Sequence, residues 1–361
     1  MKLFAPRIEI SLSKIRENTQ MLSKLYGQKG ISLMGVSKAV LGEPSIVEAM
    51  IQGGVRFIAD SRIENIQKMK NAGISTQFVL LRTALSQAES VVKSVDISLN
   101  TEIETLKKIS YYAKAQNKHH QIIIMVELGD LREGVLPGEL SQFIRETLLL
   151  THIKIVGIGC NLACHGGVKP DDKNMHELSK LVNFVEKEFQ ISLEIVSGGN
   201  SANYEWYNST VDVGKINNLR LGESIFLGCE TLNRKAIPGL HTHAFQLVAE
   251  VIESKKKPSI PFGKICQDAF GNVPSFPDRG ICQRAIIALG RQDILASSLK
   301  SNNQLEILGS SSDRMILDST NQNLQVGDEV NFSLDYGGLL AAMTSPFIRK
   351  QFINCNSHLA A

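Results

Sequence analysis

"ISLMGVSKAVLGEP", residues 31–44, is the stretch on which the fold turns. Ile31, Leu33, Met34 and Val36 form a short apolar run that ends at Lys38, and Gly42 and Pro44 follow it. A run this short, bounded by turn residues, reads as a buried strand, and the proline marks the first turn of a helix. Taken alone, a lysine here is a strand terminator whose stem carries its charge to water. At the mouth of a barrel it is a candidate covalent catalyst, because a desolvated amine is neutral often enough to attack an aldehyde.

The pattern repeats outward from this stretch. ISLMGVS, VRFIA, TQFVLL, VDISL, QIIIMVEL, IKIVGIG, LEIVS and INNLRL are strand candidates as far as about residue 230. Amphipathic segments such as "PSIVEAMIQGG", "TEIETLKKISYYAKAQ" and "PDDKNMHELSKLVNFVEKEF" alternate with them. Alternation of this kind implies parallel pairing, and about eight units suit a (β/α)8 TIM-type barrel. A doubly wound sheet is the alternative, but no GxGxxG follows the first strand. Near residue 239 the texture changes to short strand patterns separated by Pro, Gly, Asn and Asp, with no convincing long helix. The expected division is therefore a barrel over 1–238 and a C-terminal, mostly-β domain over 239–361.

The chain has 361 residues, 43% hydrophobic and 21% charged, with a net charge of +3, so a large core is available and neither nucleic acid nor anionic membrane is called for. No apolar run is long enough to span a bilayer, and the N-terminal residues carry no signal-peptide pattern. Six scattered cysteines read as reduced thiols, which points to a cytoplasmic setting. "HTH" at 241–243 lacks further ligands and "CNLACH" lacks a second cysteine pair, so no metal is expected.

In such a barrel the chemistry lies at the C-terminal ends of the strands. Lys38 follows the first. Arg132 follows the fifth in "VELGDLREGV", and Asn161 the sixth in "GIGCNLACHGG". "SGGNSAN" after the seventh carries Asn200 and Ser201, and "NLRLGESIFLG" at the eighth carries Arg220, Gly222 and Glu223.

With these blocks, together with "IADSRIENI", "CQDAFGNVPSFPDRG", "ALGRQD", "LGSSSDRMILD" and "DYGGLLAAMTSPF", the sequence resembles the fold-type III pyridoxal-phosphate enzymes of the alanine racemase superfamily, nearest the alanine/ornithine racemase branch. The resemblance implies pyridoxal 5'-phosphate as cofactor and Lys38 as the Schiff-base lysine. It implies a phosphate cup at Ser201 and the backbone of Gly222 and Glu223, beside Asn200. Arg220 matches the arginine facing the pyridine nitrogen, where a permanent donor keeps that nitrogen unprotonated. Arg132 matches an arginine near the phenolic oxygen, and Asn161 stands where alanine racemases place a histidine. His165 does not match that histidine and reads as a loop residue.

Racemisation needs a proton carrier on each face of the planar carbanion. Lys38 is one. Where alanine racemases carry the second, a tyrosine, this chain has Arg291, which suits a substrate carboxylate better than a proton. Tyr336, Asp293, Asp313 and Cys282 are the candidates for the second acid/base, and Asp293, Asp313 and Asp335 are the candidates to meet a basic substrate side chain. The expected function is a racemase of ornithine, lysine or a broader set, acting as a homodimer in which the partner's β domain completes each site. A basic amino-acid decarboxylase and a non-catalytic pyridoxal-phosphate homeostasis protein are the alternatives. Arg220 weighs against the first and the presence of the β domain against the second.

Overall fold

The computed structural model describes residues 4–301 and 305–353. The chain divides into two compact units. One is Leu12–Thr242; the other joins the residues up to Ser11 to those from His243 onward. Among the described residues no helix is long and apolar enough to cross a membrane.

After β1 (Arg7–Ser11) come eight strands: β2 (Ser32–Val36), β3 (Phe57–Asp60), β4 (Gln77–Leu80), β5 (Ile97–Asn100), β6 (His120–Met125), β7 (Ile153–Gly159), β8 (Ile195–Ser197) and β9 (Asn218–Leu221). Each pairs in parallel with the next, and β9 returns to β2, so the sheet closes into a barrel. The eight strand expectations coincide with β2 to β9. The barrel interior is a cluster of Met34, Val36, Ala59, Val79, Ile97, Leu99, Ile123, Met125 and Val156. These side chains alternate along their strands with residues that face the surrounding helices, as the pleat requires. Gly35 is one of the outward positions. A Cβ there would lie 2.5 Å from Met50 Cε, so glycine lets the helix Pro44–Gln52 pack directly on β2.

The second unit contains β10 (Phe245–Pro258), β11 (Ile281–Ile287), β12 (Leu299–Ser301), β13 (Glu306–Ser310), β14 (Met315–Asp318), β15 (Glu329–Leu334) and β16 (Arg349–Ile353). The strand order is β12-β15-β10-β11-β14-β13, with β1 against β10 and β16 against β1. β10 is long enough to serve two sets of partners. Its first half pairs with β1 and β15 and its second half with β11, and the register shifts between Val251 and Glu253. A bulge of this kind adds local twist and lets one strand bend between two surfaces.

Two features differ from the sequence expectation. The expected first domain, 1–238, held the whole N-terminus, yet β1 sits in the second unit, antiparallel to β10 and parallel to β16. A five-residue strand before a helix looks the same in either role, and only its distant partners decide. The second unit also contains a nine-residue helix, Tyr336–Thr344, in "DYGGLLAAMT". Its two glycines disguise it. Asp335 caps it by accepting from Gly338 N at 2.7 Å, and a Cβ on Gly338 would come within 2.8 Å of Ser298 O.

Arg7 ties β1 into its sheet. Its Nη1 and Nη2 donate to the two carboxylate oxygens of Glu329 at 2.6 and 2.8 Å, and Nε donates to Glu9 at 2.9 Å. Arg7 and Glu9 are largely buried, whereas Glu329 is partly exposed. Arg7→Leu is expected to cost about 2–3 kcal/mol, because it strands two carboxylates, one of them poorly hydrated. Urea unfolding followed by circular dichroism checks this: the midpoint should fall, and an unmoved midpoint would contradict the assignment.

Candidate active site

Lys38 opens a 3-10 turn, Lys38–Val40, directly after β2. The preceding residue anchors that turn. Ser37 Oγ donates to Asp60 Oδ2 at 2.7 Å, and Asp60 Oδ1 in turn accepts from Arg62 N at 2.9 Å and Asn65 Nδ2 at 3.0 Å. Asp60, at the end of β3, is fully buried and its oxygens are occupied, so it holds the turn in place. Lys38 is half-buried. Burial first, and then the positive charges of Arg132 and Arg220, lower its pKa from the ordinary lysine value.

Arg220 lies on β9, opposite Met34 in the register, and therefore in the upper interior of the barrel. It is 5% exposed. Nη1 donates to Ser197 Oγ at 2.5 Å, and Nη2 to Cys160 O at 2.8 Å and Asn161 Oδ1 at 3.4 Å. All three acceptors are neutral. Burial pushes the guanidinium down to about 10, which leaves it charged at neutral pH. A buried cation held, among the described residues, by neutral acceptors suits an uncharged or anionic acceptor atom from a ligand.

Asn161 links this arginine to the next loop. Its Oδ1 also accepts from Asn200 Nδ2 at 3.2 Å, while its own Nδ2 is buried with no hydrogen-bond partner among the described residues. Asn200 donates to Leu162 O at 2.8 Å, and its Oδ1 caps the turn Ser201–Asn203 through Ala202 N at 2.8 Å. Ser201 Oγ lies 3.1 Å from Ser224 Oγ and accepts from Ser224 N at 3.2 Å. The short helix Glu223–Leu227 starts here, with Gly222 before it. A Cβ on Gly222 would meet Val36 O at 3.0 Å, and at Gly199, where φ is +141°, one would fall 2.3 Å from Asn203 Oδ1. Glycines at both places allow backbone to approach closely, as a phosphate cup needs. The Glu223 carboxylate is turned to Arg234.

Arg132 follows β6. Its Nε and Nη2 form a two-pronged pair with Glu133, and Nη1 donates to Cys164 Sγ at 2.6 Å. Cys164 belongs to the loop after β7. Asp130 shapes that loop by accepting from Cys164 N, His165 N and Val168 N at 3.2, 2.8 and 3.3 Å. Thus Lys38, Arg132, Asn161, Asn200, Ser201, Arg220, Gly222 and Glu223 all stand at the C-terminal ends of the barrel strands or in the loops that follow. Sequence reasoning passed over Ser197, Ser224, Asp60 and Glu133. Only Glu133 carried a signal, as the acid beside Arg132 in "DLREG".

The remaining sequence candidates lie in the second unit. The turns after β11 and before β14 meet there: Arg291 N donates to Ser311 O at 3.0 Å and Gln292 N to Ser312 O at 2.9 Å. This brings Arg291 and Asp313 to one end of the sheet. The Arg291 guanidinium lies 3.6 Å from the centre of the Phe270 ring and donates to Ser310 Oγ at 3.3 Å. Asp313 is exposed and accepts from Ser311 Oγ at 3.2 Å. Asp293 is buried and occupied by Gly290 N and Ser345 Oγ, Asp335 caps its helix, and Cys282 is buried on β11. Tyr336 begins the helix whose far end reaches Asp293, about 13 Å away by helical rise.

A closed parallel barrel with a lysine after its first strand and a carboxylate-free arginine in its upper interior, on one chain with an antiparallel sheet unit, defines a narrow class of protein. The family model for the alanine racemase N-terminal domain matches residues 10–229. The chain is 42% identical to the ornithine racemase of Acetoanaerobium sticklandii, over 96% of this chain and 99% of that one. It is 39% identical to the lysine racemase of Thermotoga maritima, over 96% and 98%. Among solved structures it is similar to alanine racemase from Bartonella henselae with covalently bound pyridoxal phosphate, with a TM-score of 0.74 at 21% identity, over 96% of this chain and 99% of that one. The chain belongs to the alanine racemase family.

Proposed function

We propose that this protein is a pyridoxal-phosphate-dependent racemase that interconverts the enantiomers of ornithine or lysine. The observation that carries the chemistry is Lys38 at the C-terminal end of β2, its pKa lowered in part by the charge of Arg220, a buried arginine with no carboxylate hydrogen-bond partner among the described residues. The substrate class is supported by the ornithine and lysine racemases that this chain resembles over nearly its full length.

The residues present fit the cofactor. Asn161 Nδ2 is a buried donor without a partner, and a Cβ at Gly222 would intrude on backbone. Lys38 Nζ would hold the aldehyde carbon, Arg220 the pyridine nitrogen, Arg132 and Asn161 the ring, and Ser201 with the backbone of Gly222 and Glu223 the phosphate, beside Asn200. When bound, the cofactor withdraws electrons from the substrate Cα–H bond. In one direction Lys38 Nζ would take the Cα proton from its own face while the acid opposite delivers one to the other face, and in the reverse direction Lys38 would deliver the proton. Its lowered pKa favours the neutral, proton-accepting form more than in an ordinary lysine. Arg220 would donate a hydrogen bond to the ring nitrogen and keep its proton, because a guanidinium is too weak an acid to protonate a pyridine. Asp313 and Tyr336 are the groups we assign to the opposite face, and Arg291, steadied by Phe270 and Ser310, to the substrate carboxylate. The reading includes a cytoplasmic homodimer in which the partner's second unit supplies these three.

Ser201→Ala is expected to weaken cofactor affinity by roughly 10–100-fold, the value of one hydrogen bond to a charged group. Fluorescence titration of the apoprotein with pyridoxal phosphate checks it. The function itself is tested by incubating the protein with pyridoxal phosphate and each enantiomer of ornithine, lysine and alanine in deuterated buffer. Loss of the α-proton signal, with the opposite enantiomer on a chiral column, is the expected result. Carbon dioxide release without inversion would overturn it.

A further inference from the structure

We propose that Glu133 makes this barrel select amino acids with a side-chain ammonium, an inference that rests on the racemase reading above. Three carboxylates follow β6 in quick succession. Glu127 accepts from Gly129 N of its own loop at 2.5 Å and Asp130 from three backbone N–H groups of the loop after β7, so both are taken up by backbone. Glu133 is different. Its partner is Arg132, a side chain that also contacts Cys164 and whose charge acts on Lys38. Through its negative charge Glu133 also acts on Arg220, against the lowering by burial. It is therefore a member of the group of side chains around Lys38.

A carboxylate is out of place there for every other ligand group. The substrate carboxylate and the cofactor phosphate are anions, and Lys38, Arg132 and Arg220 already favour them. The ligand group that gains from a negative charge at this position is a cation. Glu133 has room for one. Arg132 engages each of its two oxygens once, through Nε and Nη2, and each oxygen retains a second lone pair. Its side chain is 26% exposed, so those lone pairs are reachable. An ammonium placed there completes a carboxylate shared between two cations and leaves Arg132 in position.

The test compares substrates of equal carbon chain, ornithine against norvaline and lysine against norleucine. In the Glu133→Gln holoenzyme the ornithine-to-norvaline ratio of kcat/KM is expected to fall at least tenfold, and Glu133→Asp to recover part of it. Cofactor affinity is measured alongside, and a loss there lowers both substrates alike and leaves the ratio unaltered. Calorimetric binding of α-methylornithine and α-methylnorvaline, which have no α-proton to exchange, should show the same loss of preference. An equal fall for both members of each pair would overturn the proposal and make Glu133 a positioning residue for Arg132. A wild-type enzyme that turns over norvaline as well as ornithine would also overturn it, with the racemase reading intact. A wild-type protein that binds α-methylornithine preferentially but exchanges no α-proton would support Glu133 and sink the racemase reading.

Discussion

Lys38→Ala is expected to abolish racemisation and α-proton exchange, with a fall of at least about 10^4-fold, because one substitution removes both the covalent anchor and a proton carrier. Lys38→Arg is expected to fail as completely. A guanidinium stays protonated at any working pH and cannot attack an aldehyde. The barrel should survive both changes, since Lys38 lies after β2 and the turn is held by Ser37 and Asp60. Borohydride treatment followed by peptide mass mapping gives an independent readout: the wild type should carry a stable added mass on the Lys38 peptide and the variants none. The pH dependence follows from the lowered pKa. The amine is neutral at a lower pH than an ordinary lysine, so cofactor attachment to the apoprotein should level off below the usual lysine range near pH 10.4. Full exchange by Lys38→Ala would end the assignment.

Arg220→Met should reduce exchange by about 10^2–10^3-fold, the scale for losing one preorganised donor in a dry site. Stability should fall as well, by about 1–3 kcal/mol, because Ser197 Oγ, Cys160 O and Asn161 Oδ1 lose a donor while the cost of burying a cation is relieved. Arg220→Lys is not a conservative change: one ammonium on a flexible stem cannot reproduce a planar fork that reaches three acceptors on β8 and the segment after β7. Thermal unfolding and α-proton exchange together check this. Exchange at the wild-type rate in Arg220→Met would remove Arg220 from the site.

The barrel was legible because each unit announces itself locally. Apolar runs of four to eight residues alternate with amphipathic helices, and Pro44 and the glycines punctuate them. The blocks at the strand ends were legible as well, since Lys38, Arg132, Asn161, Asn200, Ser201 and Arg220 each lie in a short motif with unusual residues. The candidates in the second unit were harder. Asp293, Asp313 and Asp335 look alike in sequence. Contact separates them: Asp293 is buried under Ser345, Asp335 caps a helix, and Asp313 keeps an exposed carboxylate.

From the sequence alone came the parallel barrel, the β unit, the family, and the residue types needed for a covalent lysine and a phosphate cup. Periodicity and short motifs are local properties, so they survive in one dimension. The tertiary structure decided what depends on distant partners. β1 could be assigned only from its pairing with β10 and β16, more than 230 residues away. Likewise, only the fold puts Arg220 against three neutral acceptors, leaves Asn161 Nδ2 buried without a partner among the described residues, and turns Glu133 onto Arg132. Hydrogen bonding and desolvation depend on which atoms meet, and chain closure across the barrel sets those meetings.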